Sequence, residues 1–216
     1  MAQASLPGAA KRFKFGILDD NPTYRQLLGM CPTLAVTATL AGAVTMAAAT
    51  AFVLIMANIV VSLLRKQLKG HLRILVFTMT IATFVTIVDK VLQAYYFEMS
   101  QKLGPYVPLI IVNCIIICRC EVCASRQPVG VALADAIGQS LGFLLGLISI
   151  AVVREILATG HIFVTDTYPG IQILPSWWPS WSIMQGPAGA FITLGVLMGL
   201  VNLLSMRRKS SRVSVS

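Results

Sequence analysis

The chain has 216 residues, 56% hydrophobic and only 12% charged, with 17 Lys+Arg against 8 Asp+Glu and a mean hydropathy of +0.80. A soluble domain carries roughly 25% charged residues, so this composition excludes a disordered chain and a nucleic-acid binder and argues against a soluble globular enzyme. At about 20 apolar residues per crossing, the length holds five or six membrane spans with short loops and nothing else of useful size.

Residues 1–26 read as a cytoplasmic N-terminal segment. Their basic residues are not followed by an apolar stretch before Asp19 and Asp20, so they do not form a signal peptide. Six apolar stretches follow, over residues 27–41, 43–64, 74–97, 106–118, 137–153 and 188–206. The second and sixth are long and uninterrupted, as a spanning helix requires. The first, with Cys31-Pro32, and the fourth, with Asn113-Cys114 behind Pro105 and Pro108, are too short to cross as regular helices and read as broken ones. Residues 207–216 form a basic tail.

Basic residues orient the chain. They collect before the first stretch (Lys11, Arg12, Lys14, Arg25), after the second (Arg65, Lys66, Lys69, Arg73), after the fourth (Arg119, Arg126) and after the sixth (Arg207, Arg208, Lys209, Arg212). If all six stretches cross, these regions lie on one side, which the positive-inside rule makes cytoplasmic. His161, Asp166 and the Pro- and Trp-rich residues 168–181 then lie on the outer side.

The order short-with-Cys, long, long occurs twice, over residues 27–99 and 105–206. Each half has an odd number of spans, so the second half is inverted relative to the first. The expected fold is an all-α membrane protein of six transmembrane helices in two inverted three-helix repeats, the first and fourth helices broken. In that plan functional sites sit near the midplane at the breaks. Pro32 lacks a backbone donor beside Cys31, and Asn113 carries an amide able to satisfy a freed backbone group beside Cys114. A membrane cysteine is often just a small apolar residue that packs well. Two of them at equivalent breaks leave that reading open beside a second one, thiolate ligation of metal. An iron–sulfur cluster wants four thiolates, so two imply a second chain that supplies the rest.

Leu28-Gly29-Met30-Cys31-Pro32-Thr33-Leu34-Ala35-Val36-Thr37 and Pro108-Leu109-Ile110-Ile111-Val112-Asn113-Cys114 resemble the RnfE/NqrD family of membrane subunits. So do Arg119-x-Glu121, Asp135 with Gly138 and Gly142, and Arg154-Glu155-Ile156-Leu157-x-x-Gly160. The resemblance covers residues 21–206. It implies six spans in two inverted halves, a bacterial inner membrane, and pairing with an oppositely oriented paralogue of the RnfA or NqrE type. It also implies one intramembrane [2Fe–2S] cluster, each partner giving two cysteines, here Cys31 and Cys114. The resemblance further implies that flavin and NAD belong to other subunits and that the chain holds no catalytic residue of its own. Cys31-Pro32, Pro108-Leu109-Ile110 and Gly189-Ala190-Phe191-Ile192 resemble the Rnf branch, which couples ferredoxin and NAD. Val88-Asp89-Lys90-Val91-Leu92-Gln93-Ala94-Tyr95 resembles the Nqr branch, which couples NADH and quinone. The balance favours Rnf. An inverted-repeat secondary transporter and an iron-free scaffold are the rivals, and both predict silent cysteines.

Four further features stand apart. Cys118, Cys120 and Cys123 form C-x-C-x-x-C where the family has Gly, Ala and Phe; they read as small residues at a helix end rather than a second metal site. Asp89 and Lys90 interrupt the third stretch, about 26 Å along it at 1.5 Å per residue, and read as interfacial residues in preference to an ion path. Asp135 is expected to cap the fifth helix, and Arg154-Glu155 to form an interfacial pair at its other end. Gly138, Gly142 and Gly146 share one helix face and predict close packing there.

Overall fold

The computed structural model describes residues 21–65, 72–159, 161–162, 171–172 and 182–213. Lys11, Arg12, Lys14, Lys66, Lys69, Asp166 and residues 173–181 lie outside them. In chain order the elements are α1 (Met30–Val36), α2 (Leu40–Leu64), α3 (Arg73–Tyr95), α4 (Phe97–Leu103), a 3-10 turn (Val107–Ile110) and α5 (Cys114–Arg119) running into a π turn (Cys120–Ala124). α6 (Val129–Thr159), a two-residue antiparallel pairing of β1 (His161–Ile162) with β2 (Ile171–Gln172), α7 (Ser182–Gln185) and α8 (Pro187–Val213) follow.

Among the described residues, Leu40–Leu64, Arg73–Tyr95, Val107–Ala124 and Val129–Ala158 are long and apolar enough to cross a membrane, and Pro187–Leu203 is a shorter apolar helix. The fold is thus a helical, multi-span membrane protein. α6 starts eight residues earlier than the apolar stretch predicts. Pro128 precedes it, and the Pro128 carbonyl accepts from the Val131 and Ala132 amides, so the helix starts directly after a proline. The last helix likewise continues through Val213, so the basic tail is helical at its start.

α2 and α6 form the centre and make the most extensive contact in the chain. They are antiparallel. At one end the Leu40 amide donates to Glu155 Oε2 at 2.8 Å; at the other the Ser62 hydroxyl donates to the Gln127 carbonyl at 2.9 Å. Val53, Ala57 and Val61 of α2 are fully buried, with Phe77 and Ile81 of α3, Ile115 and Ile116 of α5, and Leu147 of α6. α3 is the outlying helix, with only 22% of its apolar window buried.

The outer contacts are reciprocal. α2 packs on α3 as α6 packs on α8, and α1 packs on α8 as α5 packs on α3.

At Gly142 and Gly146, α6 receives the N-terminal turn. Asn21 Nδ2 donates to the Gly142 carbonyl at 3.0 Å, and Tyr24 Oη lies 2.5 Å from Ser149 Oγ. A Cβ on Gly146 would overlap the Thr23 side chain. Residues 21–29 are therefore irregular chain held at the depth of the middle of α6. Such backbone survives in a membrane only when its polar groups are paired. Asn21 supplies much of that pairing: its Oδ1 accepts from the Thr23 and Tyr24 amides and its carbonyl from those of Arg25 and Gln26.

Candidate functional site: two cysteines at the heads of two half-helices

The 31 residues of α6 give a ruler about 45 Å long, its middle at residue 144. Gly29 abuts the Phe143 ring, while Leu34 and Thr37 contact Arg154. α1 therefore starts near the middle and runs toward the Glu155 end only. Cys114 meets Gly29 through a hydrogen bond, and Arg119 meets Asp135. α5 therefore starts at the same depth and runs the opposite way. Two short helices thus diverge from one level, Cys31 the second residue of one and Cys114 the first residue of the other.

Each start has a local cause. Leu27 (φ 55°) and Gly29 (φ 77°) turn the chain through left-handed conformations, which leaves the Gly29 amide pointing out of α1. It donates to Cys114 Sγ at 2.9 Å. Pro32 sits in the first turn of α1, where its missing N–H breaks no helical bond; the interruptions lie on either side of α1, at residues 27–29 and 37–39. Asn113 caps α5, Oδ1 accepting from the Ile115 amide at 3.2 Å. This is the role expected of it. Its Nδ2 is buried without a hydrogen-bond partner.

Cys31 and Cys114 are both exposed on the surface of the chain, flanked by exposed Leu27 and Val112. Cys120 and Cys123 are buried in the π turn and Cys118 half-buried. Among the described residues no three His, Cys, Asp or Glu side chains converge as a metal site. The chemistry of the donor set fits half of a cluster: two thiols open to the outside, one already accepting an N–H bond, and no third ligand among the described residues.

Two sequence expectations are corrected. Asp135 does not cap α6, since it lies six residues inside that helix; it pairs with Arg119 Nη1 at 3.7 Å, both side chains nearly buried. A second ion pair, Arg73 Nη1 to Glu121 Oε1 at 3.3 Å, ties α3 to the π turn. Arg154 and Glu155 are not an exposed interfacial pair: each is 1% exposed, and they diverge. The Arg154 guanidinium donates to the carbonyls of Met184 (3.1 Å), Gln185 (3.0 Å) and Gly186 (3.0 Å), and to Thr37 Oγ1 (2.6 Å) and the Leu34 carbonyl (3.5 Å). It thereby closes the C-terminal ends of α1 and α7 together, while Glu155 takes the first amide of α2. Arg154 and the Gly29 amide are the two site-supporting groups that the sequence reading missed. A charged pair at the end of an apolar run and a glycine two residues before Cys31 were the available signals.

Asp89 and Lys90 are bridged locally. Gln93 Nε2 donates to Asp89 Oδ2 at 2.8 Å, and Lys90 Nζ donates to Gln93 Oε1 at 3.1 Å. Asp89 is half-buried and Lys90 exposed. The side chain of His161 lies outside the described residues.

A multi-span membrane protein with its cysteines at paired helix breaks is the class this geometry defines. The family model described as "Rnf-Nqr subunit, membrane protein" matches residues 9–198. The chain is 42% identical over 192 residues to the E subunit of the Na(+)-translocating ferredoxin:NAD(+) oxidoreductase complex of Acetobacterium woodii, covering 89% of this chain and 95% of that one. It is 44% identical over 189 residues to the E subunit of the ion-translocating oxidoreductase complex of Methanosarcina acetivorans, covering 87% of each. The corresponding protein of Pasteurella multocida is 38% identical over 218 residues, covering 97% of each. The chain belongs to the Rnf-Nqr family of membrane subunits.

Proposed function

We propose that this chain is the RnfE-type component of an Rnf-type, ion-translocating ferredoxin:NAD oxidoreductase, and that Cys31 and Cys114 are half of the ligand set of an intramembrane [2Fe–2S] cluster. An oppositely oriented paralogue of the RnfA type supplies the other two thiolates. The chain acts as part of an oxidoreductase complex and carries no complete active site. The observation that carries the reading is that Cys31 and Cys114 stand at the heads of two half-helices that start at one level, joined there by the Gly29 amide on Cys114 Sγ, with both thiols exposed on the chain. The names of the relatives support the complex and the branch.

A bound cluster supplies one-electron exchange. The residues of this chain hold two thiolates at mid-depth, present an N–H group to one of them, and exclude water with the packed apolar side chains behind. A midplane position lets electrons pass between carriers on either face of the membrane. Flavin and NAD sites fall to other subunits.

The chain expressed alone is expected to lack cluster iron, and co-expression with its paralogue to restore it. The measurement is iron and acid-labile sulfide in the purified chain and in the pair. A stable cluster in the lone chain would overturn the shared-ligand reading and return Cys118, Cys120 and Cys123 to consideration.

The same reading places both termini in the cytoplasm of a bacterial cell, in its inner membrane. The support is the basic bias at alternate turns together with the antiparallel α2 and α6. A reporter inserted after Arg73 or at Ser216 is expected to report cytoplasm, and one at Asp166 the outer side. Cytoplasmic signal at Asp166 would refute this topology.

A further inference from the structure

The left-handed turn before α1 does more than start a helix. Its product is a single N–H aimed across the boundary between the two halves at a sulfur. Three features fix that amide. Gly29 holds φ 77°, a conformation in which an L side chain is strained. A Cβ there would come within 2.6 Å of the Phe143 ring, a distance no real contact tolerates. The Gly29 carbonyl, on the other side of the residue, accepts both the Thr33 amide at 3.4 Å and the Thr33 hydroxyl at 2.8 Å. The donor is thus locked from behind, below and in front, and it is aimed at Cys114 Sγ.

We infer that the Gly29 amide is a positioning and tuning group for the redox site, which raises the reduction potential by donating to Cys114 Sγ. The inference rests on the cluster reading above. A hydrogen bond to a ligating sulfur draws electron density from it. That stabilises the more negative, reduced state of the centre, and such bonds are among the levers that set iron–sulfur potentials. The glycine is required because only a residue without Cβ keeps the amide at this angle beside Phe143.

The test uses the assembled complex, purified from membranes. Gly29→Ala is expected to retain iron and to lower the cluster midpoint in an EPR-monitored redox titration. Phe143→Leu, which keeps the glycine, is expected to titrate like the parent. Gly29→Ala with Phe143→Leu relieves the overlap but not the strain of a side chain at positive φ, and is expected to stay below the parent midpoint. The parent complex grown on [15N]glycine is expected to show a coupled peptide nitrogen at the reduced cluster by pulsed EPR, lost in the double variant. This spectrum needs no substitution to be decisive against the idea. Full iron with an unmoved midpoint in Gly29→Ala, or no glycine nitrogen coupled in the parent, would overturn the tuning role and leave the cluster reading standing. Absence of any cluster signal in the parent complex would instead sink the cluster reading itself.

Discussion

Arg154→Ala is expected to strip most of this subunit from the membrane complex. The guanidinium is 1% exposed and satisfies three carbonyls at the end of α7, one at the end of α1 and the Thr37 hydroxyl. In a membrane interior no water replaces a lost donor, and hydrogen bonds to charged groups are each worth about 1.5–3 kcal/mol. These contributions do not add, but several carbonyls are left without a donor, at about 1–3 kcal/mol for each buried group so orphaned. Loss of at least about 3 kcal/mol follows, against a total of about 5–15 kcal/mol. The unfolding temperature of whatever chain accumulates is expected to fall by at least about 6 °C. Arg154→Lys keeps the charge but replaces a flat fork by a point donor. It cannot serve two helix ends at once and is expected to fall between. Arg126→Ala, at an exposed position, is the control and is expected to be silent. Membrane yield and thermal unfolding of the purified variants decide the matter; parental values for Arg154→Ala would show that the clamp is redundant.

The spans were legible because the bilayer dictates their length and apolarity. Residues 43–64 became α2 and residues 74–97 became α3 with little change. Their ends were less legible where polar residues enter a helix. Residues 129–136 contain Gly130 and Asp135, so an apolar threshold starts α6 too late, and the proline signal at Pro128 was the better guide. The buried ion pair of Asp135 with Arg119 removes the reason for reading Asp135 as a cap. Both partners are ordinary charged residues in the sequence, and nothing local joins them.

The site divides in the same way. That Cys31 and Cys114 stand at breaks follows from flanking prolines and short apolar runs. Which residues make the breaks does not. Leu27 adopts φ 55°, and leucine carries no local signal for a left-handed turn. The partners of Arg154 lie 30 to 32 residues ahead and 117 to 120 behind. A charged pair at the end of an apolar run looks the same whether it meets lipid headgroups or the carbonyls of a broken helix. Close packing of the α6 glycines was predictable from their spacing, whereas the irregular turn at Gly142 and Gly146 was not.

Cys31→Ser and Cys114→Ser are each expected to leave an assembled complex that carries no electrons, while Cys118→Ser behaves normally. Serine is nearly the size of cysteine, and Cys31 and Cys114 are exposed on the chain. Their replacement therefore removes little packing within this subunit. The hydroxyl at 114 still accepts from the Gly29 amide, so α1 keeps its start. Even an unpartnered hydroxyl covered by a neighbour costs only about 1–3 kcal/mol, too little to unfold a multi-span bundle. Ligation is another matter, because iron in such a site depends on soft thiolate donors. Outer hydrogen-bond partners of metal sites are worth about 10–100-fold when removed, and a ligand is worth more. NADH-linked electron transfer is therefore expected to fall at least about 100-fold, with cluster iron lost. Cys118 lies on α5 about one turn beyond Cys114, half-buried, so it controls for thiol loss nearby without loss of a ligand. Subunit stoichiometry, iron content and turnover measured on the three purified complexes separate the cases. Normal iron and normal turnover in both Cys31→Ser and Cys114→Ser would remove the cluster from this subunit and put an iron-free scaffold or transporter in its place.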